Sequence, residues 1–576
     1  MFSIKGLQWS KKKVDTEFQH SEQKSSFVND FLTLRNYGGQ YSNFVEPKIK
    51  NAFPGIDDFK DMQKAINFLK SAIKANSKVV IFADYDVDGA TSSAVLKQFL
   101  NFVGISQVDI YVPDRVKEGY GPNVEAFKNF KQQGYELVIT VDCGIVAFDE
   151  IELAQKIGLD VIVIDHHVSA AEVPKAVAVV DPNRVDNPNE FGYLCGAGVV
   201  FVVCAKLAGQ MPESEINQAK LKQYLFSLLD LVAIGTVCDV VPLVNLNRAI
   251  VSNGLKVINS TKNIGLQALL YKIDKQNITA EDIGFGIGPL INAAGRIGDS
   301  TLGSQLFTSQ SMEESLKIAE QLINYNKQRK EIEQEALENV TKDLEGHTKD
   351  YVMMSSKDWH EGVIGIIASR IKDSTGKVSI VGSESEDVNG EVIVKASCRS
   401  NGAFDVGAAI LEANAKGIII KGGGHFAAGG FSCYKKNIPQ LESFFDDIFI
   451  MTEELYKKAK ERSFDFFVAP QGIAALDSEL QLLEPFGMKN EAPIFCIDYV
   501  VLKDVRIVGE RHLRIESKCP DSNTYVNAIW FNSANSYADT LGLKLGKKIK
   551  LIAKISFRDF RGKRYPNIIA EDIVAM

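Results

Sequence analysis

The sequence predicts an α/β protein in three parts: a parallel-sheet domain, a second α/β domain joined to it by a long helix, and a C-terminal β-barrel. Three observations predict it. Apolar, β-branched runs alternate with helix-like stretches between residues 77 and 180. Residues 312–345 contain neither glycine nor proline. The last hundred residues are strand-rich and broken by basic turns.

The first runs are KVVIFA (78–83), VDIYV (108–112), ELVITV (136–141), VIVI (161–164) and AVAVV (176–180), with amphipathic segments near 91–103, 123–133 and 148–158 between them. Continuous apolar strands spaced by helices indicate a parallel sheet covered on both faces. A helical region follows, including LFSLLDLVAIGTV (225–237). The stretch 312–345 opens on a capping-box pattern, Ser311 to Glu314, and would form a strut about 50 Å long at 1.5 Å per residue. A second α/β segment begins at YVMMSS (351–356) and carries the glycine-dense KGGGHFAAGG (421–430). YVVLKDVRIV, HLRIES, TYVNAIWF and KKIKLIAKISF then read as the strands of a small barrel.

At 576 residues the chain is too long for one core. Hydrophobic content is 45%, and no window approaches 18 uninterrupted apolar residues, so no membrane span is expected. The N-terminus lacks the apolar core and cleavage site of a signal peptide. Eight scattered cysteines without a CxxC pair argue against a zinc ribbon or a disulfide framework and fit a reducing cytoplasm. Net charge is −8, but residues 499–576 hold 14 Lys/Arg against 8 Asp/Glu. The remainder therefore carries −14, partly as clustered acids.

The chemistry lies in where those acids sit. Asp84, Asp142 and Asp165 each follow directly on an apolar strand. Ligands of open α/β sheets bind outside the carboxyl ends of the strands, so the three acids converge on one edge. Asp86 and Asp88 extend the first group, and His166 and His167 extend the third. Such carboxylates cannot all stay ionised without a counter-charge. Divalent cations supply one, and an oxygen–imidazole set without thiolate suits manganese or magnesium. Two such ions form the usual clamp for in-line phosphoryl displacement. A calcium loop is excluded, because its twelfth position falls on Val95. Asp239 ends an apolar run and is either an unusual helix C-terminus or a ligand held from below.

Gly422, Gly423, Gly424, Gly429 and Gly430 form either an anion nest, to which His425 adds a phosphate contact, or a glycine-rich turn. Arg296, Arg370 and Arg399 are candidate phosphate clamps, and His360 a further candidate. In the C-terminal segment Lys547, Lys548, Lys550, Lys554, Arg558, Arg561, Lys563 and Arg564 interleave with Phe557, Phe560 and Tyr565. This is the recipe for single-strand binding, or else a solvated hairpin.

DYDVDG (84–89), VDCG (141–144), DHH (165–167) and GTVCDVVPL (235–243) resemble the four motifs of the DHH phosphoesterases, and GGGH resembles the DHHA1 substrate-binding domain that accompanies them. KEGYGPN (117–123), IGPLINAAGRIGDS (287–300), WHEGVIGIIASR (359–370) and EPFGMKN (484–490) are similar to the RecJ exonucleases in particular. Lys489 and Glu491 depart from that family's usual glycine and proline, and the first fifty residues match weakly.

The resemblance implies an N-terminal extension (1–70), a DHH catalytic domain (71–270), a helical connector (271–345), a DHHA1-like domain (346–455) and an OB-fold barrel (465–576). It implies metal ligation by Asp84, Asp86, Asp142, His166 and Asp239, with Asp88 in the same loop. His167 would stand beside the nucleophilic water or scissile phosphate, and Asp142 is the best candidate to bridge two Mn2+ or Mg2+ ions. Arg296, His360, Arg370, Arg399, Gly423, Gly424 and His425 would hold substrate phosphates. Lys548, Lys550, Phe557, Arg558, Phe560, Arg561 and Tyr565 would bind single-stranded DNA.

The implied activity is hydrolysis of single-stranded DNA from the 5′ end to mononucleotides, in DNA repair and recombination. The enzyme would be monomeric and cytoplasmic, with single-stranded-DNA-binding protein and a helicase as partners. A phosphodiesterase of very short oligonucleotides or cyclic dinucleotides is the alternative, and the basic C-terminal segment speaks against it. A silent DNA-binding scaffold would have degraded acidic motifs, and here each is intact. A pyrophosphatase would not need the length.

Overall fold

The computed structural model describes residues 1–13, 26–37, 41–115, 117–187, 189–214, 216–344, 348–387, 389–560 and 562–576, without the side chains of residues 26, 341–343 and 560. Two compact units result: Met1–Lys48 with Thr452–Met576, and Ile49–Met451.

In the larger unit the five expected strands form one parallel sheet, in the order Val108–Tyr111, Val79–Ala83, Leu137–Val141, Asp160–Ile164, Ala178–Val180. Alternate residues serve two cores. Val79, Ile81, Ile139 and Ile162 pack with the helices Val87–Phe102 and Gly196–Gly209. Val80, Phe82, Val138 and Val161 pack with Val124–Gln132 and Phe148–Lys156. Burial on both faces is why these strands read as unbroken apolar runs.

The first of these helices starts four residues before the expected 91 and is not amphipathic. The Asp86 side chain caps it by accepting from the Asp88 and Gly89 amides, and twelve of its 16 residues are buried, including every one of the first ten. Residues 218–238 are long and apolar enough to cross a membrane by composition, but 61% of that stretch is buried inside the protein. Leu229–Cys238 is a core helix, whereas Gln218–Ser227 buries only Leu221 and Leu225.

The strut is present as the helix Met312–Asp343. Its cap is half of the expected box. Ser311 Oγ accepts from the Glu314 amide, while the Glu314 carboxylate takes the Ser309 hydroxyl instead of reaching back. Beyond it, five strands run in the order Lys421–His425, Ala428–Tyr434, Val392–Arg399, Val378–Glu386, Tyr351–Ser356. Only the last pair is parallel. The glycine segment corrects both readings offered for it. It is neither nest nor turn but a hairpin of two strands, and no residue in it has positive φ. Close packing explains Gly422, Gly424 and Gly429: a Cβ on Gly424 would lie 2.4 Å from Gly429 Cα, and on Gly422 or Gly429 it would lie 2.7 or 2.5 Å from Ile410.

In the smaller unit the strands Phe466–Val468, Ile494–Val508, His512–Lys518, Tyr525–Trp530, Lys563–Ala575 and Lys548–Phe560 follow one another. Ile494–Val508 also pairs with Lys548–Phe560 and closes a barrel. The expected extension 1–70 is divided. Ile49 onward belongs to the larger unit, whereas the first 48 residues complete the barrel unit. Val28, Phe31 and Leu32 are buried in the barrel's core, Gln8–Lys11 pairs with Glu461–Phe464, and Trp9 Nε1 donates to Asp572 at 2.8 Å.

Phe31→Ala should therefore destabilise the barrel unit by about 3–5 kcal/mol, the usual cost of emptying a fully buried phenylalanine site. Calorimetry and limited proteolysis of the full chain check this. An unchanged transition for residues 452–576 would show that the N-terminal segment does not support the barrel.

Candidate metal centre and phosphate site

The acids reach one edge of the parallel sheet as expected. Asp84 and Asp142 directly follow neighbouring strands, and His166 stands just past the end of the next strand. Asp86 caps the helix behind the first strand. Asp239 is the C-cap of the buried helix Leu229–Cys238, so it is both the unusual helix end and a member of the cluster.

His166 Nε2 lies 3.1 Å from Asp142 Oδ1, 3.7 Å from Asp239 Oδ2 and 3.9 Å from Asp88 Oδ2. Three ligand sets result, each with donor atoms within 4.8 Å: Asp84–Asp86–Asp142, Asp88–His166–Asp239 and Asp142–His166–His167. Asp142 belongs to two of them. It holds a left-handed backbone, φ 59°, that non-glycine residues seldom adopt.

Asp88 is the most enclosed. Its two oxygens accept from the Gly196 and Ala197 amides at 2.6 and 2.9 Å, at the N-terminus of the helix Gly196–Gly209. A Cβ on Gly235 would lie 2.7 Å from Asp88 Oδ1, so glycine is required there.

Burial and mutual repulsion drive these carboxyls toward the neutral form. Burial first, then Asp86, raises Asp84 to about 8 and Asp88 to about 7. Burial and Asp88 raise Asp239 to about 9, and Asp142 is raised well above the carboxylate range for the same reasons. Among the described residues no lysine or arginine forms an ion pair with any of these or with Asp86. His166 Nε2 and Asp239 Oδ2 are buried without a hydrogen-bond partner. A pair of divalent cations is what this donor set fits.

The two histidines differ. Burial and the charge of His167 lower His166 to about 4, which leaves a neutral ligand. Burial also opposes the charged form of His167, but Asp165 accepts from its Nδ1 at 2.7 Å and raises it to about 9. Asp165 itself is not in the cluster. It accepts from the Ile145, His166 and His167 amides and orients the loop.

Of the expected phosphate ligands, Arg296 and His360 meet at Gly362. Arg296 Nη1 donates to its carbonyl at 3.0 Å, and His360 Nδ1 accepts from its amide at 3.0 Å. Burial and the like charges of Arg115 and Arg329 lower Arg296 to about 10. Arg399 lies over the start of the helix Ile364–Thr375, donating to Ser369 and Ser397 hydroxyls and the Cys398 carbonyl. His425 stands in the same cross-strand row as Arg399, on either side of Ala428. Arg370 is paired instead with Glu333 at 2.9 Å. Gly423 and Gly424 are ladder residues of the edge strand.

In the barrel unit Lys550 is ion-paired with Asp498 and sits over Phe467 and Tyr499. Phe557 packs partly buried against the core, Lys548 and Arg558 are exposed, and Tyr565 pairs across the ladder with Arg558. Arg561 and the Phe560 side chain lie outside the described residues.

Two neighbours of the centre were not singled out from sequence. Arg115, over the Tyr85 ring at 4.9 Å, lies just past a strand at the same sheet edge, a signal that was legible. The Tyr120 hydroxyl donates to the Asp142 carbonyl at 3.3 Å and stands 3.5 Å from the His167 ring nitrogens.

This fold and centre define the DHH phosphoesterase class. Residues 78–236 match the DHH family, N-terminal domain, 348–451 the DHHA1 domain and 465–572 the RecJ OB domain. The single-stranded-DNA-specific exonuclease RecJ of Salmonella typhimurium is 32% identical over 92% of this chain and 92% of its own length. That of Bacillus subtilis is 32% identical over 89% of this chain, which spans 63% of that protein. The chain belongs to the RecJ family. The crystal structure of RecJ from Thermus thermophilus with Mn2+ shares the fold at TM-score 0.75, with 23% identity, over 95% of this chain and 76% of its own. A manganese-bound exonuclease RecJ aligns at TM-score 0.56, with 27% identity, over 68% of this chain and 94% of its own.

Metal-free protein should lose stability as pH rises from about 5 to 9. In that window the unfolded carboxyls are already ionised while the folded Asp84, Asp88 and Asp239 still hold protons, so unfolding releases protons. Mn2+ should cancel the loss and displace protons on binding. Calorimetric titration in two buffers of different ionisation enthalpy reads the proton count; pH-independent affinity with no proton release would contradict this site.

Proposed function

We propose that the chain is a single-strand-specific DNA exonuclease that works from the 5′ end to mononucleotides, using two Mn2+ or Mg2+ ions. The observation that carries the reading is Asp142, common to two ligand sets at an edge where, among the described residues, no lysine or arginine is ion-paired with the buried acids. The relatives named as single-stranded-DNA-specific exonucleases, and the Mn2+ of the related crystal structures, support it.

Asp84, Asp86, Asp142, His166 and Asp239 would hold the ions, with Asp88 buttressing the loop. Such a pair supplies an activated water and offsets charge on the phosphate. The protein's own groups do the rest. Asp165 accepts from His167 Nδ1 and favours its charged form, which would let Nε2 donate to a phosphate oxygen. Tyr120 fixes the Asp142 carbonyl. Arg296, beside Arg115 and His360, would grip the substrate phosphate, and Arg399 with His425 offers a second basic row. Lys548, Lys550, Arg558 and Tyr565 would contact the strand on the barrel unit. A monomeric, cytoplasmic enzyme of DNA repair and recombination fits this reading. Single-stranded-DNA-binding protein and a helicase are the partners to test, because they cover or generate its substrate.

The test is degradation of end-labelled oligonucleotides of about 30 residues, long enough to span an extended groove, as single-stranded DNA, duplex or RNA in Mn2+. Loss of a 5′ label as mononucleotide from single-stranded DNA alone is expected. Asp142→Asn should lower turnover by several orders of magnitude while retaining DNA binding, and His167→Ala by about a hundredfold or more. Survival of the long strand with cleavage of dinucleotides would leave the metal centre standing and overturn the substrate.

A further inference from the structure

The long helix carries a polar row on a buried side. Asn326, Arg329 and Glu333 are three and four residues apart and so share a face. Asn326 and Glu333 are each 7% exposed, and the Arg329 side chain 13%. The row lies near the C-terminal end of the helix Gly288–Ile297, which carries Arg296. The Tyr325 ring covers Gly298, where an added Cβ would come within 2.4 Å, and Ile332 packs with Ile297 and Val363.

The charges form a sequence leading away from the acids. Arg296 feels Arg115 and Arg329 on one hand and Asp86 on the other; Arg329 in turn feels Arg370. Glu333 is the carboxylate shared by the two outer arginines, and it is shared unequally. Arg370 Nε is 2.9 Å away, whereas Arg329 Nη1 is 3.5 Å away. Arg329 Nε and Asn326 Oδ1 are buried with no hydrogen-bond partner. A structural arginine would use its donors in a close fork on the carboxylate. Leaving a buried donor unsatisfied is costly, and sites that do so commonly await a ligand.

We propose that Arg329 is a substrate-phosphate ligand, one step farther from the acidic centre than Arg296, with Glu333 as a resident counter-charge that it gives up when the strand arrives. The planar guanidinium suits a phosphodiester oxygen pair. Arg329 and Arg370 share the single carboxylate of Glu333, which leaves an excess of positive charge that a polyanion complements. The position falls between the matched domain segments 78–236 and 348–451. The inference rests on the single-strand reading above.

Binding of a labelled 5′-phosphorylated single strand is measured by anisotropy with Ca2+ as a non-catalytic ion, across a KCl series, for wild type, Arg329→Ala, Arg329→Lys and Glu333→Gln. Thermal unfolding of each is recorded alongside. Arg329→Ala should weaken binding about tenfold and lower the slope of log K against log[salt] by about 0.7, one phosphate contact. Arg329→Lys should keep the slope and lose part of the affinity. Glu333→Gln should tighten binding. Wild-type slope and affinity in Arg329→Ala would overturn the proposal while oligonucleotide degradation still upheld the exonuclease reading. If Arg329→Ala does not fold, Glu333→Gln decides: tighter binding supports the role, and unchanged or weaker binding overturns it. A wild-type chain that neither binds nor degrades the strand overturns both.

Discussion

Repulsion among buried carboxylates is the constraint on which the larger unit depends. Asp84, Asp88 and Asp142 are each less than a tenth exposed, with Asp86 and Asp239 beside them, and no described cationic side chain of lysine or arginine pairs with any of them. An apolar sheet would not tolerate that cluster by itself. The fold answers locally by lending backbone amides: two from one helix start to Asp88, two from another to Asp86. What the amides leave over is the demand for divalent cations. The left-handed backbone at Asp142 belongs to the same account, because its carboxylate joins two of the three ligand sets at a conformational cost of about 1–3 kcal/mol.

The positive charge sits apart from the acids, on arginines that approach the centre without forming ion pairs with it. Had Arg115 or Arg296 neutralised the carboxylates, neither the cations nor a phosphate would find an open partner. Burial and mutual repulsion lower Arg296 to about 10, still charged at neutral pH, and an anionic partner would lower the cost of holding it there. A net charge of −8 therefore says little about affinity for nucleic acid; the distribution within one unit decides it.

Much of the centre was legible because two periodicities met in it. Apolar runs marked the strands, and an acid directly after a run fixed its place at the carboxyl edge. Less was legible where the partner is remote in sequence. Phe31 packs into a barrel whose strands begin more than 400 residues later, and short apolar stretches near the N-terminus give no hint of that. Arg329 and Arg370 look alike on amphipathic helices, and only the structure separates them, by burial and by unequal distances to Glu333. The glycines from 422 to 430 gave a false lead, because a nest requires alternating backbone handedness that composition does not encode. Here close packing of the paired strands and of Ile410, not a turn, accounts for Gly422, Gly424 and Gly429.

The adjacent histidines show how little covalent difference the centre needs. His166 and His167 are consecutive, yet one is held neutral and the other cationic. Proximity to the acids does not separate them, since His166 is the closer: its Nε2 lies 3.1 Å from Asp142. The difference is Asp165, whose carboxylate is tied by three backbone amides and turned onto His167 Nδ1. That bond fixes the tautomer, keeps a proton on the outward nitrogen, and through like-charge repulsion discourages a second proton on His166. The neighbour is thereby kept free to act as a ligand. A single carboxylate outside all three ligand sets thus sets the two residues that follow it apart in charge.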